Sequence, residues 1–168
     1  MTSVNSLVAS RRDFSASVQA AEPDALREAD ALQEAQLLDS RVCPLTSTAA
    51  LLFELRTSLQ FDAGNAALLV VRGLRSFAWS SSVVPVPFAA LTVVSGLPDP
   101  AAGVFRARFD FFPAARLEVV GSQADFYVLE VDGIGDVPPD YSGTDHERIA
   151  RELPSWSSLC RPVQVSTA

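Results

Sequence analysis

The chain has 168 residues, 48% of them hydrophobic and 20% charged. That length and composition suit one domain with a real core and exclude a chain disordered throughout. Thirteen basic residues, every one an arginine, face twenty acidic ones for a net charge of −7. This balance argues against a nucleic-acid binder and against a polybasic membrane docker.

No apolar run approaches the roughly 18 residues of a transmembrane helix. Arg11-Arg12 follows the mildly apolar N-terminal residues, the wrong order for a secretory signal. A cytoplasmic protein is therefore expected, with Cys43 and Cys160 as reduced thiols. A bridge between these two cysteines would be the exception in that compartment.

Residues 1–20 are rich in Ser, Ala and Val without a period and read as a mobile or irregular arm. Residues 21–168 read as a single domain. Glu22-Pro23-Asp24 has the chemistry of a helix start. Leu26, Ala29, Leu32, Ala35 and Leu38 follow at helical spacing and predict an amphipathic helix. Pro44 stops it.

From Thr48 the period changes to two. Leu51, Phe53, Leu55, Thr57 and Leu59 alternate with Leu52, Glu54, Arg56 and Ser58, which suits a half-buried strand, with a helix as the alternative for this stretch. Further strands are expected at Ala67–Arg72, Leu74–Trp79, Ala90–Val94, Val104–Phe112, Leu117–Val120 and Asp125–Val131. Pro85 and Pro87 keep Val83–Phe88 at an edge or outside the sheet. Gly96 to Gly103 reads as a turn. In Val104–Phe112, Phe105, Ala107, Phe109 and Phe111 share one face, and Arg106, Arg108 and Asp110 the other. Short strands joined by short turns imply antiparallel pairing. Gly133 to Gly143 reads as a long loop, followed by a short helix capped by Thr144 or Asp145 and ended by Pro154. The predicted fold is α+β: an N-terminal amphipathic helix, a mostly antiparallel sheet of about six or seven strands, and a short C-terminal helix.

No catalytic residue, cofactor or metal is predicted. The one histidine, His146, opens the short helix between Asp145 and Glu147, and no G-x-S-x-G is present. Asp132-Gly133-Ile134-Gly135-Asp136 contains G-x-G but continues into Val137-Pro138-Pro139 rather than a helix. A Walker loop needs a lysine, and the spacing of Asp132, Asp136 and Asp140 does not fit a calcium loop. Arg106 and Arg108, with Arg116, Arg72 and Arg75, form the one basic concentration. The phenylalanines beside them lie on the core face, unlike those of an RNA-binding sheet.

The sharpest feature is charge segregation. Eight acids stand between Glu118 and Glu147, and no arginine falls between Arg116 and Arg148. Exposed acids interleaved with tyrosine suit a docking face for a basic protein. Asp132, Asp136, Asp140, Tyr141, Asp145 and Glu147 are the expected partner-binding residues. Two other readings stand beside this one. The first is a small enzyme or ligand binder with a pocket between sheet and helix. The second is a structural homo-oligomer, a homodimer paired through the edge near Val83–Phe88.

Three segments carry a resemblance: Leu51-Leu52-Phe53-Glu54-Leu55-Arg56, then Asn65-Ala66-Ala67-Leu68-Leu69-Val70-Val71-Arg72-Gly73-Leu74, then Phe77-Ala78-Trp79. The succession of an apolar strand, a second strand ending in Gly-Leu and a Trp soon after resembles small, strand-rich, acidic proteins of high-GC bacteria. Some of these are immunity proteins that neutralise toxins. The resemblance implies a non-enzymatic, antitoxin-type inhibitor that occludes a basic toxin site.

Overall fold

The computed structural model describes residues 1–9, 14 and 17–168. In chain order its elements are β1 (Thr2–Ser3), α1 (Val4–Ala9), β2 (Gln19–Ala20), β3 (Gln36–Cys43), β4 (Thr48–Glu54), β5 (Ala66–Arg72), β6 (Ser76–Ser81), β7 (Leu91–Ala101), β8 (Val104–Phe112), β9 (Ala115–Gly121), β10 (Gln123–Val131), α2 (His146–Arg151) and β11 (Leu159–Thr167). The strands form one eleven-stranded sheet in the order β1-β11-β10-β5-β4-β3-β7-β8-β9-β6, with β2 also paired to β11. Every pair is antiparallel except β2 with β11. Among the described residues no helix is long and apolar enough to cross a membrane.

Hydrophobic pattern explains how this sheet folds over itself. β8 alternates strictly: Phe105, Ala107, Phe109 and Phe111 are buried, while Arg106 and Arg108 are exposed. One wet face and one dry face mean a single covering layer. β4 is buried at all seven positions and β5 at six of seven, so both of their faces are covered. One core lies between the two halves of the sheet. It joins Leu51, Phe53, Leu69 and Phe126 to Phe105, Phe109, Leu117 and Val119. The Phe53 and Phe109 rings meet across it at 5.7 Å between centroids. A second core covers the opposite face of β4, β5 and β10 and includes Val4, Leu7, Leu52, Leu68, Tyr127 and Trp156. The halves are joined by only two residue pairs between β3 and β7, Gln36 with Thr92 and Leu37 with Leu91. This thin join is where the sheet turns over.

The expected α+β class is overturned. Among the described residues there are eleven strands and two six-residue helices, so the fold is β-rich. The four strands that the sequence pattern hid are β1, β2, β3 and β11. Of the expected N-terminal arm, residues 2–9 form β1 and α1, with Val4 and Leu7 fully buried. Residues 10–13, 15 and 16 of that arm lie outside the described residues.

The amphipathic helix predicted after Pro23 is absent. Residues 23–34 run through successive turns, and residues 36–43 are β3. Asp30 and Glu34 have φ of 59° and 67°, a left-handed conformation that breaks a right-handed helix. Their backbone bonds go to β7 instead. Asp30 N–H donates to Gly96 O at 2.7 Å, Glu34 N–H to Val93 O at 3.0 Å, and Val93 N–H returns to Ala35 O at 2.8 Å. The Asp30 carboxylate also accepts from Gly96 N–H and from the Ser95 hydroxyl. Leu26, Ala31, Leu32 and Ala35 are buried all the same, because a chain of turns can point the same apolar residues inward.

The turn expected at Gly96–Gly103 is also displaced. β7 continues through Pro98 and Pro100 to Ala101. Beyond Thr92, β7 has a strand partner on one side only, β8. Proline has no N–H to give the ladder, and an unpaired side tolerates that.

Candidate functional site

β4 ends at Glu54, whose side chain is fully buried. Arg56 follows two residues later, in the turn that leaves the strand, where its backbone N–H donates to Glu54 Oε1 at 2.9 Å and brings the two side chains together. Arg56 Nη2 lies 2.6 Å from Glu54 Oε2, and its Nε donates to Glu54 Oε1 at 2.8 Å. This two-point contact satisfies both carboxylate oxygens in a site without water access, as a buried charge pair requires. The remaining guanidinium N–H groups donate to backbone carbonyls of Ile134, Gly135, Val137 and Glu152. One buried cation thus fastens the β10–α2 loop and the end of α2 to β4.

Other contacts fix the rest of the loop. Tyr141 Oη donates to Gln36 Oε1 on β3 at 2.7 Å. Burial pushes the Tyr141 phenol up to about 12, and the nearby Glu54 charge pushes the same way. Asp140 Oδ1 accepts from Ser142 Oγ at 2.7 Å and Ser142 N–H at 2.9 Å. These two bonds hold the Asp140 carboxyl below its usual range. Asp145 Oδ1 accepts from Arg148 N–H at 3.0 Å and caps α2.

The six residues predicted for a docking face separate into three groups. Asp136, Asp140, Asp145 and Glu147 are exposed on the loop and the first turn of α2. Asp132 is exposed too, but it sits where β10 leaves the sheet beside β11, with its N–H bonded to Leu159 O. Tyr141 is half-buried, and its hydroxyl is engaged by Gln36. Among the described residues none of the five carboxylates is in an ion pair. Their negative charge is therefore presented to solvent on a backbone that is tied down from beneath.

Beside the loop is a half-open pocket of about 230 Å³ between β3, the Phe88–Ala90 segment and the α2–β11 connection. Leu38, Leu52, Phe88, Leu153 and Trp156 make it mainly apolar, with Gln36 and Tyr141 at its polar side. Trp156 is held rigidly. Its Nε1–H donates to Asp39 Oδ2 at 2.5 Å, and the Arg41 guanidinium lies 4.5 Å from its ring centroid. Sequence reasoning missed Glu54, Arg56 and Gln36. The spacing of Glu54 and Arg56 was visible, but it read as the solvent face of a strand. Nothing local showed that the loop closes over them.

His146 is exposed at the first position of α2, its ring centroid 5.7 Å from that of Phe88 in an edge-on arrangement. Among the described residues no three His, Cys, Asp or Glu side chains are grouped so as to hold a metal ion. Cys43 and Cys160 are both free. Cys43 is exposed, and hydrogen bonds from Thr46 lower its thiol pKa. Burial pushes the Cys160 thiol up to about 11. No protein-family model, curated protein or solved structure matches this chain.

Proposed function

We propose that this protein is a non-enzymatic protein-binding module, an immunity- or antitoxin-type inhibitor that docks the acidic β10–α2 loop on a basic partner. One observation carries the reading. Five exposed carboxylates, without ion-pair partners among the described residues, stand on or beside a loop whose backbone Arg56 already holds. A preformed surface loses little conformational entropy on docking. Unneutralised charge accelerates encounter with a basic site and orients it. The adjacent apolar pocket has room for one side chain of the partner, an anchor of the kind that dominates interface energetics.

The test has two stages. The intact protein captures its partner from lysate of its own source, and a salt ramp releases it. The purified partner is then titrated with wild type and with Asp136→Asn/Glu147→Gln at two salt concentrations. Neither of these side chains makes a hydrogen bond within the described residues, so the substitutions remove charge without breaking a bond of the fold. Affinity should fall about tenfold and lose part of its salt dependence. Unchanged affinity would end the proposal.

The pocket favours a second reading, a site for a small apolar molecule that accepts a hydrogen bond from the Gln36 amide. Its volume is below the roughly 300–1,000 Å³ of ordinary ligand sites, so the docking reading leads.

A further inference from the structure

The two ends of the sheet are finished differently. At one end the outer side of β11 is occupied by β1 and β2, each two residues long. At the other end stands β6, whose six residues all pair with β9 and, among the described residues, with nothing else. The pairing runs from Ser76 with Val120 to Ser81 with Ala115 without a bulge. Proteins usually blunt a free edge with charge, proline, a bulge or shortness. Ser-Phe-Ala-Trp-Ser-Ser has no charge and no proline, and six residues is an ordinary strand length. Val83–Phe88, expected at an edge or outside the sheet, follow β6 and lie outside it, so the pairing edge expected near them is β6 itself.

β6 has two rows of side chains. Phe77 and Trp79 face inward, opposite the buried Val119 and Leu117. Trp79 lies against Phe111 yet remains 43% exposed. Ser76, Ala78 and Ser80 form the outer row and are exposed.

We propose that β6 is the interface of a homodimer, in which two copies pair antiparallel about a two-fold axis at Ala78 and join their sheets. The occupant follows from the strand itself. A two-fold axis makes a strand meet its own reverse, and Ser76-Phe77-Ala78-Trp79-Ser80 reads almost the same in both directions. In that register Ser76 meets Ser80, Phe77 meets Trp79 twice, and Ala78 meets itself. The two aromatic pairs extend the inner row and cover the exposed part of Trp79. The outer row brings together only Ser and Ala, which leave the strands free to approach. The nearest like charges on the strand, the two Arg75, stand opposite Ser81 at the two ends. They are roughly 20 Å apart along the strands, well beyond the ~8 Å screening length.

A single strand pair buries less than the roughly 1,200 Å² of a standard interface, so the dimer is expected to be weak, with a dissociation constant on the order of 1–100 µM. Sedimentation velocity of the intact protein from about 1 to 500 µM tests this range. The wild type should pass from monomer to dimer. Ala78→Glu places two carboxylates face to face between the two Glu118 side chains that neighbour Ala78 on β9, and association should weaken at least about tenfold. An equimolar mixture with Ala78→Lys, whose ammonium meets the carboxylate across the axis, should associate again. A wild type that stays monomeric throughout would overturn the proposal. So would a dimer indifferent to Ala78→Glu, or a mixture that fails to associate. Amide hydrogen exchange on the wild type adds a test independent of variant folding. Protection at Phe77–Ser80 should rise with concentration, and a flat profile would overturn the proposal.

Discussion

Arg56–Glu54 and Arg116–Asp110 are ion pairs of the same closest approach, 2.6 Å, in opposite halves of the sheet. The first is in the half covered on both faces, with side chains 3% and 0% exposed. The second is on the wet outer face of β8 and β9, with side chains 54% and 29% exposed. Distance alone would rank them equal. Solvent separates them: water screens the outer pair and would hydrate either partner left alone, whereas a lone Glu54 would be a bare charge in the core. The buried pair also does structural work that the exposed one does not. Its guanidinium ties the acidic loop to β4 through three carbonyls and the end of α2 through a fourth. The doubly covered half is thus a platform that fixes the candidate docking face. The singly covered half carries a solvated charge row and ends in the open strand β6.

The strongest challenge to this contrast is to delete each arginine. Arg56→Ala should cost about 3–5 kcal/mol in urea unfolding, whereas Arg116→Ala should leave the unfolding midpoint nearly unchanged. Equal losses would mean that burial does not govern the difference. Adding Glu54→Gln to Arg56→Ala should recover only the share due to the stranded carboxylate, since the loop carbonyls stay without their donor.

A smaller effect is expected where the halves touch. A Cβ on Gly121 would lie 2.5 Å from Val71 Cγ1 and 2.7 Å from Arg72 O, so β9 approaches β5 too closely for any side chain. Gly121→Ala should cost about 1–3 kcal/mol by the same measurement. A neutral result would show that the halves can separate there.

The smallest effect concerns the loop's tie to β3. Tyr141→Phe removes one hydrogen bond and should cost about 1 kcal/mol at neutral pH. Its pH signature is more specific. The folded phenol, at about 12, holds its proton above the ordinary value of 10.0. Stability from this group is therefore complete below pH 10 and lost as pH rises through 12. Melting temperatures by circular dichroism from neutral pH upward should show a shallower alkaline decline for Tyr141→Phe than for wild type. Parallel curves would place Tyr141 in water.

Legibility differed between the halves for the same reason as stability. β8 was readable because one wet face imposes alternation, Phe105 to Phe111 inward and Arg106 and Arg108 outward. β4 was located but read as half-buried, because Glu54 and Arg56 look like solvent-facing residues unless their partners are known. β3 was read as the end of a helix, since Leu26, Leu32 and Ala35 fall at helical spacing and are indeed buried. Periodicity reports which residues turn inward and leaves open whether a helix or a succession of turns takes them there.

Composition and local pattern by themselves determined an acidic chain with antiparallel pairing, seven of its strands and the acidic segment that includes the candidate site. These depend on neighbours in sequence: side-chain alternation, turn residues and charge count. The tertiary structure alone decided the β-rich class, the strand identity of Gln36–Cys43 and Leu159–Thr167, and the fixing of the loop by Arg56. Each of these depends on a partner far along the chain. β3 takes its ladder from β4 and β7, β11 takes its ladder from β10, and Arg56 meets carbonyls 78 to 96 residues away. A backbone hydrogen bond or a buried charge is satisfied by whatever the fold brings to it, and local sequence carries no record of that partner.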